Sequence, residues 1–195
     1  MPLTQEQFKV EQQIILWGVT AGFSGADIGY LVKVAYIESS FNNSAQNPSS
    51  TASGAFGFNN PTWQTYYSDL GSKDVLANQL AAMGREIQKF STWYNDPAQN
   101  GNIPKNMTRE EYMYMKHHDG QGATPSKNSP GSLIWTGTDF NPTVVPGVDG
   151  FQSGGSSYEG TYDIVWDGHG GGIAFEERTG NVEAILLNAG DFTYG

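Results

Sequence analysis

The chain has no cysteine in its 195 residues, which removes disulfides, zinc–thiolate centres and cysteine nucleophiles together and leaves the compartment open. Histidine is almost as scarce, with three copies. The adjacent pair His117 and His118 would point apart on a helix, so no metal site is expected. Positive charge is short as well: ten Lys and Arg stand against twenty Asp and Glu, for a net charge of −10. Binding to a phosphate backbone works by displacing counterions with Lys and Arg, so nucleic acid is not an expected partner. No run of about 18 apolar residues occurs, and no membrane-spanning helix is expected. Met1 to Val10 has no basic segment followed by an apolar one and does not read as a signal peptide. The run Gly168-His169-Gly170-Gly171-Gly172 lacks the Lys-Ser/Thr ending and following helix of a phosphate-cradling loop. It reads as a flexible loop, and no cofactor is expected.

What is present falls into two parts. Residues 1–139 read as helices with clear start signals, and 37% of the whole chain is hydrophobic, enough for a core. Thr4 with Gln7 makes a capping-box pattern ahead of Phe8 to Val19. Ser24 and Asp27 open a second helix in which Ile28, Leu31, Val32 and Ala35 follow the spacing of one buried face. Phe41 to Pro61, rich in Asn, Ser and Gly, is loop or short strand. Leu76, Leu80, Met83, Ile87 and Phe90 form the stripe of a third helix, with Ser72 as its cap. Thr108 with Glu111 makes a second capping box, and Gly120 stops the helix that follows. From about residue 120 the composition shifts to Gly, Pro, Ser and Thr. Residues 140–195 hold twelve of the 25 glycines, eight acids and one base, Arg178. This acidic, Gly-rich extension is expected to carry short strands at Thr161 to Trp166 and Ile173 to Phe175, with Asn181 to Leu187 either a strand or a helical turn, and to pack on the helical domain.

The chemistry concentrates at Glu38. Three residues beyond Ala35 and seven beyond Leu31, it extends the face that Ile28 and Leu31 bury. A carboxylate on such a face is costly unless paired or protonated, and burial favours the protonated form a general acid needs. A helix-end glutamate that is merely solvated, or pairs with Lys33, would look the same from position alone. Ser39 and Ser40 have no His–Asp partner at usable spacing, so no serine hydrolase is proposed.

The surrounding strings narrow the choice. Ile37-Glu38-Ser39-Ser40-Phe41-Asn42, then Ser53-Gly54-Ala55-Phe56-Gly57-Phe58, then Pro61-Thr62-Trp63 resembles the lytic transglycosylase and goose-type lysozyme superfamily. There a helix ends on the catalytic Glu, and a Gly-Ala-x-Gly loop follows. The segment from Asn78 to Phe90 looks like the family's helix beside the cleft, and His117-His118-Asp119-Gly120 takes the place of its aromatic-Asn-Ala-Gly motif. The resemblance covers residues 8–123. It implies a mainly α, lysozyme-like (α+β) fold, with Glu38 catalytic and Ser39, Gly57, Phe58, Asn59, Asn60 and His117 at the substrate. Two departures stand out. The family's glutamine after the Gly-Ala pair is missing, so Asn59 or Asn60 must substitute in a shorter loop. The family's tyrosine that supports the Glu or the N-acetyl group aligns with His117.

The resemblance also implies the reaction: cleavage of the β-1,4 bond between N-acetylmuramic acid and N-acetylglucosamine in peptidoglycan. Glycosidases in general use one carboxyl as acid and a second to activate water or attack the sugar. Lytic transglycosylases, by family analogy, need only one, because the muramic 6-hydroxyl attacks instead. Asp69, Asp74 and Glu86 are the candidates for a second carboxylate, each with an ordinary reading as a cap, a helix-start charge or a solvated residue. The one-carboxylate scheme is favoured, with a hydrolytic muramidase left open. The rival is a glycan-binding or structural module that kept the fold and lost activity, which the altered Gly-Phe-Asn-Asn loop favours. A chain of this charge is not drawn to an anionic wall by long-range attraction. Action in the periplasm or cell wall is therefore expected to follow delivery by a phage particle, by lysis or by a secretion apparatus.

Overall fold

The computed structural model describes residues 3–96, 98, 103–140, 142–153, 156–166, 171–176 and 186–188. Among them the protein is mainly helical. In order along the chain come the α-helices α1 (Gln5–Thr20), α2 (Gly25–Ser39), α3 (Asn60–Tyr66), α4 (Leu76–Asn95), α5 (Arg109–Asp119) and α6 (Pro130–Gly137). No helix among the described residues is long and apolar enough to cross a membrane. The chain divides into two compact units. One comprises Met1–Tyr36, Ser40–Asn42 and Phe140–Gly195; the other comprises Ile37–Ser39 and Asn43–Asp139.

In the first unit both sides of the expected capping box form. The Thr4 N–H donates to Gln7 Oε1 (2.8 Å), and the Gln7 N–H donates to Thr4 Oγ1 (3.3 Å). The Gln7 amide also donates to the Ser40 carbonyl at 2.9 Å, tying the start of α1 to the end of α2. Gly18 lets these helices close up, since a Cβ there would stand 2.8 Å from Ile28 Cγ1. Ser24 caps α2 through the Asp27 N–H, as expected. The rest of α2 departs from the one-face pattern. Six consecutive residues from Tyr30 to Ala35, Lys33 included, are buried. A helix buried all round is a core helix rather than a surface one.

Helix α2 ends on two left-handed residues in succession, Ser40 (φ 52°) and Phe41 (φ 63°). Their N–H groups donate to Tyr36 and Ala35 carbonyls, closing the last turn. Left-handed geometry costs a non-glycine residue roughly 1–2 kcal/mol. Full burial of a Phe side chain returns about 1.5–3 kcal/mol, and Phe41 is fully buried, flanked by Tyr36 and Phe140. The turn directly after Glu38 is therefore held by packing.

The same unit contains four strands, β1 (Thr143–Ser153), β2 (Ser156–Trp166), β3 (Gly171–Glu176) and β4 (Leu186–Asn188), in an antiparallel sheet of order β1-β2-β3-β4. Strand β2 contains Thr161 to Trp166 and β3 contains Ile173 to Phe175. Of Asn181 to Leu187, Leu186 and Leu187 lie in β4, and the earlier residues lie outside those described. Gly171 and Gly172, read as flexible loop, instead open β3; residues 168–170 lie outside the described set. Strand β1 was not expected, because Pro146, Gly147 and Gly150 interrupt it. Its register against β2 shifts between Val145 and Val148 and again between Asp149 and Phe151, where an irregular ladder tolerates such residues.

The second unit is built on α4 and α5. Leu80, Met83, Ile87 and Phe90 are buried as the stripe requires, with Leu76 half-buried at its start. Ser72 does not cap α4. The N-cap is Val75, without a side-chain bond, and the Ser72 hydroxyl accepts from the Asp74 N–H two residues on. Thr108 caps α5 through the Glu111 N–H at 3.1 Å, but the Glu111 carboxylate takes Lys127 Nζ at 2.6 Å instead of closing the box. Phe90 is fully buried, so Phe90→Ala is expected to cost about 3–5 kcal/mol, read as a lower urea midpoint at unchanged slope.

Candidate active site

Every residue of the site belongs to the second unit, and the site is built around a short loop. Between α2 and α3 the chain makes two isolated antiparallel bridges, Gln46 with Ser53 and Ser53 with Phe58. Between Ser53 and Phe58 it turns on Gly54 (φ +82°) and Gly57 (φ +64°). Three helices hold this turn by its backbone. Ser39 Oγ at the end of α2 donates to the Ala55 carbonyl (2.9 Å). The Phe56 N–H donates to Gln79 Oε1 of α4 (3.1 Å). His117 Nε2 of α5 lies 2.9 Å from the Phe56 carbonyl oxygen. Gln79 is fully buried, and a Cβ on Gly54 would overlap its amide.

The loop delivers Gly57 to Glu38. The Cβ of any other residue at 57 would fall 2.5 Å from Glu38 Oε2, so both the φ angle and the close approach demand glycine. The other carboxyl oxygen, Oε1, accepts from the Tyr114 hydroxyl at 2.7 Å. Glu38 is half-buried and, among the described residues, has no ion pair with Lys33 or any other base.

His117 is enclosed, its side chain 5% exposed. Nδ1 lies 2.7 Å from Glu86 Oε2, and Nε2 faces the Phe56 carbonyl; both neighbours are acceptors. A doubly protonated imidazolium satisfies them together, whereas a neutral ring satisfies one. Burial alone would lower the His117 pKa. The charge and hydrogen bond of Glu86 oppose it, with help from the Glu38 charge and the Phe56 carbonyl, and push it up to about 9. Glu86 is itself buried, and its second oxygen accepts from the Tyr67 hydroxyl (2.7 Å). Tyr67 in turn accepts from Gln121 Nε2 (3.0 Å), and Gln121 Oε1 accepts from Lys89 Nζ (2.5 Å).

Glu38, Asn47, Ser50, Ala52, Gly57, Phe58, Asn59, Thr62, His117 and His118 line an open groove of about 240 Å³. That is below the ~300–1,000 Å³ of pockets that enclose a drug-sized ligand, and it suits a short stretch of a longer chain lying across the surface. The groove brings together five of the sequence-predicted residues, Glu38, Gly57, Phe58, Asn59 and His117. It does not include Ser39, whose hydroxyl holds the loop, or Asn60, an exposed residue that opens α3. Asn59 caps α3, its Oδ1 accepting from the Thr62 N–H at 2.8 Å, which leaves its amide nitrogen to donate. Phe58 packs edge-on to Trp63, Tyr67 and His117 and acts mainly as core.

Two residues take roles that sequence reasoning missed. Tyr114, not His117, supports Glu38. It sits three residues before His117 on the same face of α5, and that spacing was the available signal. Glu86 is neither a solvated face residue nor a second acid for the groove, but the buried partner of His117. Asp69 is spent on a surface pair with Arg85 (2.7 and 2.9 Å), which lowers its pKa, and Asp74 is an exposed residue near Ser53 and Asn43. Among the described residues, Glu38 is the one carboxylate lining the groove, and neither Lys nor Arg lines it. No cluster of His, Asp and Glu suited to a metal ion occurs among them.

No protein-family model matches the chain, and no curated protein or solved structure matches it either.

Two expectations follow from this geometry. Gly57→Ala should displace the Glu38 carboxyl and lower the urea midpoint; an unchanged midpoint would contradict the packing. His117 ionises at about 9 in the folded protein and near 6.5 when free, so its share of stability is complete below about 6.5 and lost as pH rises through 9. Urea midpoints measured from pH 6 to 10 should fall across that window, and His117→Gln should flatten the fall.

Proposed function

We propose that this chain cleaves the β-1,4 bond between N-acetylmuramic acid and N-acetylglucosamine in peptidoglycan, with Glu38 as the one acid and base, on a lysozyme-like framework. The observation that carries the proposal is that Glu38 is, among the described residues, the one carboxyl lining the groove, held at Oε1 by the Tyr114 hydroxyl, with Gly57 so close to Oε2 that it leaves no room for a Cβ. The resemblance of Glu38-Ser39-Ser40-Phe41-Asn42 and Ser53-Gly54-Ala55-Phe56-Gly57 to the lytic transglycosylase superfamily supports it independently.

A protonated Glu38 gives its proton to the glycosidic oxygen as the bond to the muramic C1 breaks, releasing the N-acetylglucosamine 4-hydroxyl. The carboxylate so formed takes a proton from the muramic 6-hydroxyl, whose oxygen closes onto C1. Glu38 returns to its acid form, and the product ends in a 1,6-anhydro ring. Tyr114 fixes which oxygen faces the bond. The neutral polar lining of Asn47, Ser50, Asn59 and Thr62 suits hydroxyl and acetamide groups. Water in place of the 6-hydroxyl would make the same site a muramidase. Residues 140–195 are an acidic Gly-rich extension in this reading, and the protein reaches the wall by a phage particle, by lysis or through a secretion apparatus. The commitment of Asn59 Oδ1 to capping α3 favours one alternative, a binding module with impaired catalysis.

Glu38→Gln keeps the shape and removes the proton. It should lower release of soluble fragments from purified peptidoglycan by at least about 10²-fold, the scale of general acid catalysis, with an unchanged melting temperature. Undiminished release would sink the assignment.

A further inference from the structure

The buried pair under the groove is costly for what it would contribute to stability alone. Glu86 and His117 are both removed from water, and well-packed apolar residues often replace such pairs without loss. The position of the pair suggests a different use. Glu86 Oε2, the imidazole and the Phe56 carbonyl form one hydrogen-bonded line from α4 through α5 to the loop, and the next residue, Gly57, is the one that presses on Glu38.

We propose that Glu86 is a positioning residue: it keeps His117 doubly protonated, so that the ring holds the Phe56 carbonyl and seats Gly57 against Glu38, and loss of that ring proton releases the loop. The reason is directional. A neutral ring that keeps Nδ1–H on Glu86 turns the Nε2 lone pair toward the Phe56 oxygen, acceptor against acceptor, and the bond to the loop becomes a repulsion. The groups around the ring all bear on this balance. Glu86 faces it from α4 and Glu38 from α2, and both favour the charged form. From α5 itself come the Tyr114 ring at 6.2 Å and the neighbouring His118, bound to Asp119. The loop contributes the Phe56 carbonyl and the Phe58 ring at 5.1 Å. The Tyr67 hydroxyl is held on the other Glu86 oxygen and does not compete for His117.

The catalytic part of this inference rests on Glu38 being the acid; the structural part does not. The test therefore has two arms on the full chain. In the first, the His117 ring and the Phe56 and Gly57 amides of the wild-type protein are followed by NMR from pH 6 to 10.5. The Gly57 amide should move with the same midpoint as His117, near 9. In the second, Glu86→Gln leaves a buried ring without its counter-charge, which burial then drives neutral. Both NMR midpoints should fall together by about two units or more, so that at pH 8 no more than about a tenth of the rings stay charged. Then kcat at pH 8 should drop about tenfold or more at little-changed KM, and acidification to pH 5.5 should restore it relative to wild type. A Gly57 amide that stays flat through the His117 titration would overturn the inference, and so would a Glu86→Gln enzyme with the wild-type pH profile. If Glu86→Gln does not fold, the wild-type titration decides alone. If Glu38→Gln proves active, the assignment of the acid fails, but the coupling of Gly57 to His117 is still settled by the first arm.

Discussion

The groove depends on the backbone of Phe56. Its N–H is bound by Gln79 from α4 and its carbonyl by His117 from α5, while the neighbouring Ala55 carbonyl is bound by Ser39 from α2. A peptide unit held on both sides by buried side chains has little freedom, and it is joined directly to Gly57, which stands against the Glu38 carboxyl. Buried polar contacts of this kind give precise placement when complete and become liabilities when one member is missing. Here Gln79, His117 and Glu86 are each satisfied on more than one side.

The same construction sets the division of labour among the acids. Burying Glu86 against an imidazolium and a phenol removes it from chemistry and gives it to architecture. Asp69, bound to Arg85 at the surface, is likewise committed. What is left in the groove is a half-buried Glu38 with one oxygen held and one pressed against a glycine. One acid can serve both halves of a glycosyl transfer when the second nucleophile belongs to the substrate, and the proposed reaction uses that economy.

Much of the helical framework was legible in the sequence, because capping and apolar spacing are local. Thr4, Ser24 and Thr108 cap where their hydroxyls and the following residues indicated, and the stripe from Leu80 to Phe90 is buried. Ser72 and Glu111 were misread for one reason: each found a better partner, the Asp74 N–H in one case and Lys127 in the other. Strand β1 was hidden by Pro146, Gly147 and Gly150, which a strand accommodates only where its pairing register slips. At the site, Glu38 and the glycine loop could be read from adjacent residues. The roles of Tyr114 and Glu86 could not, since those depend on contacts across 76 and 31 positions of chain.

The most direct test of the central claim, that a single carboxyl in this groove cuts glycan strands through an internal nucleophile, is mass spectrometry of the soluble products from purified peptidoglycan. Fragments ending in 1,6-anhydro-muramic acid are the predicted result. Reducing muramic ends would replace the internal nucleophile with water. No soluble product from several wall types would contradict the account and leave a binding module in its place.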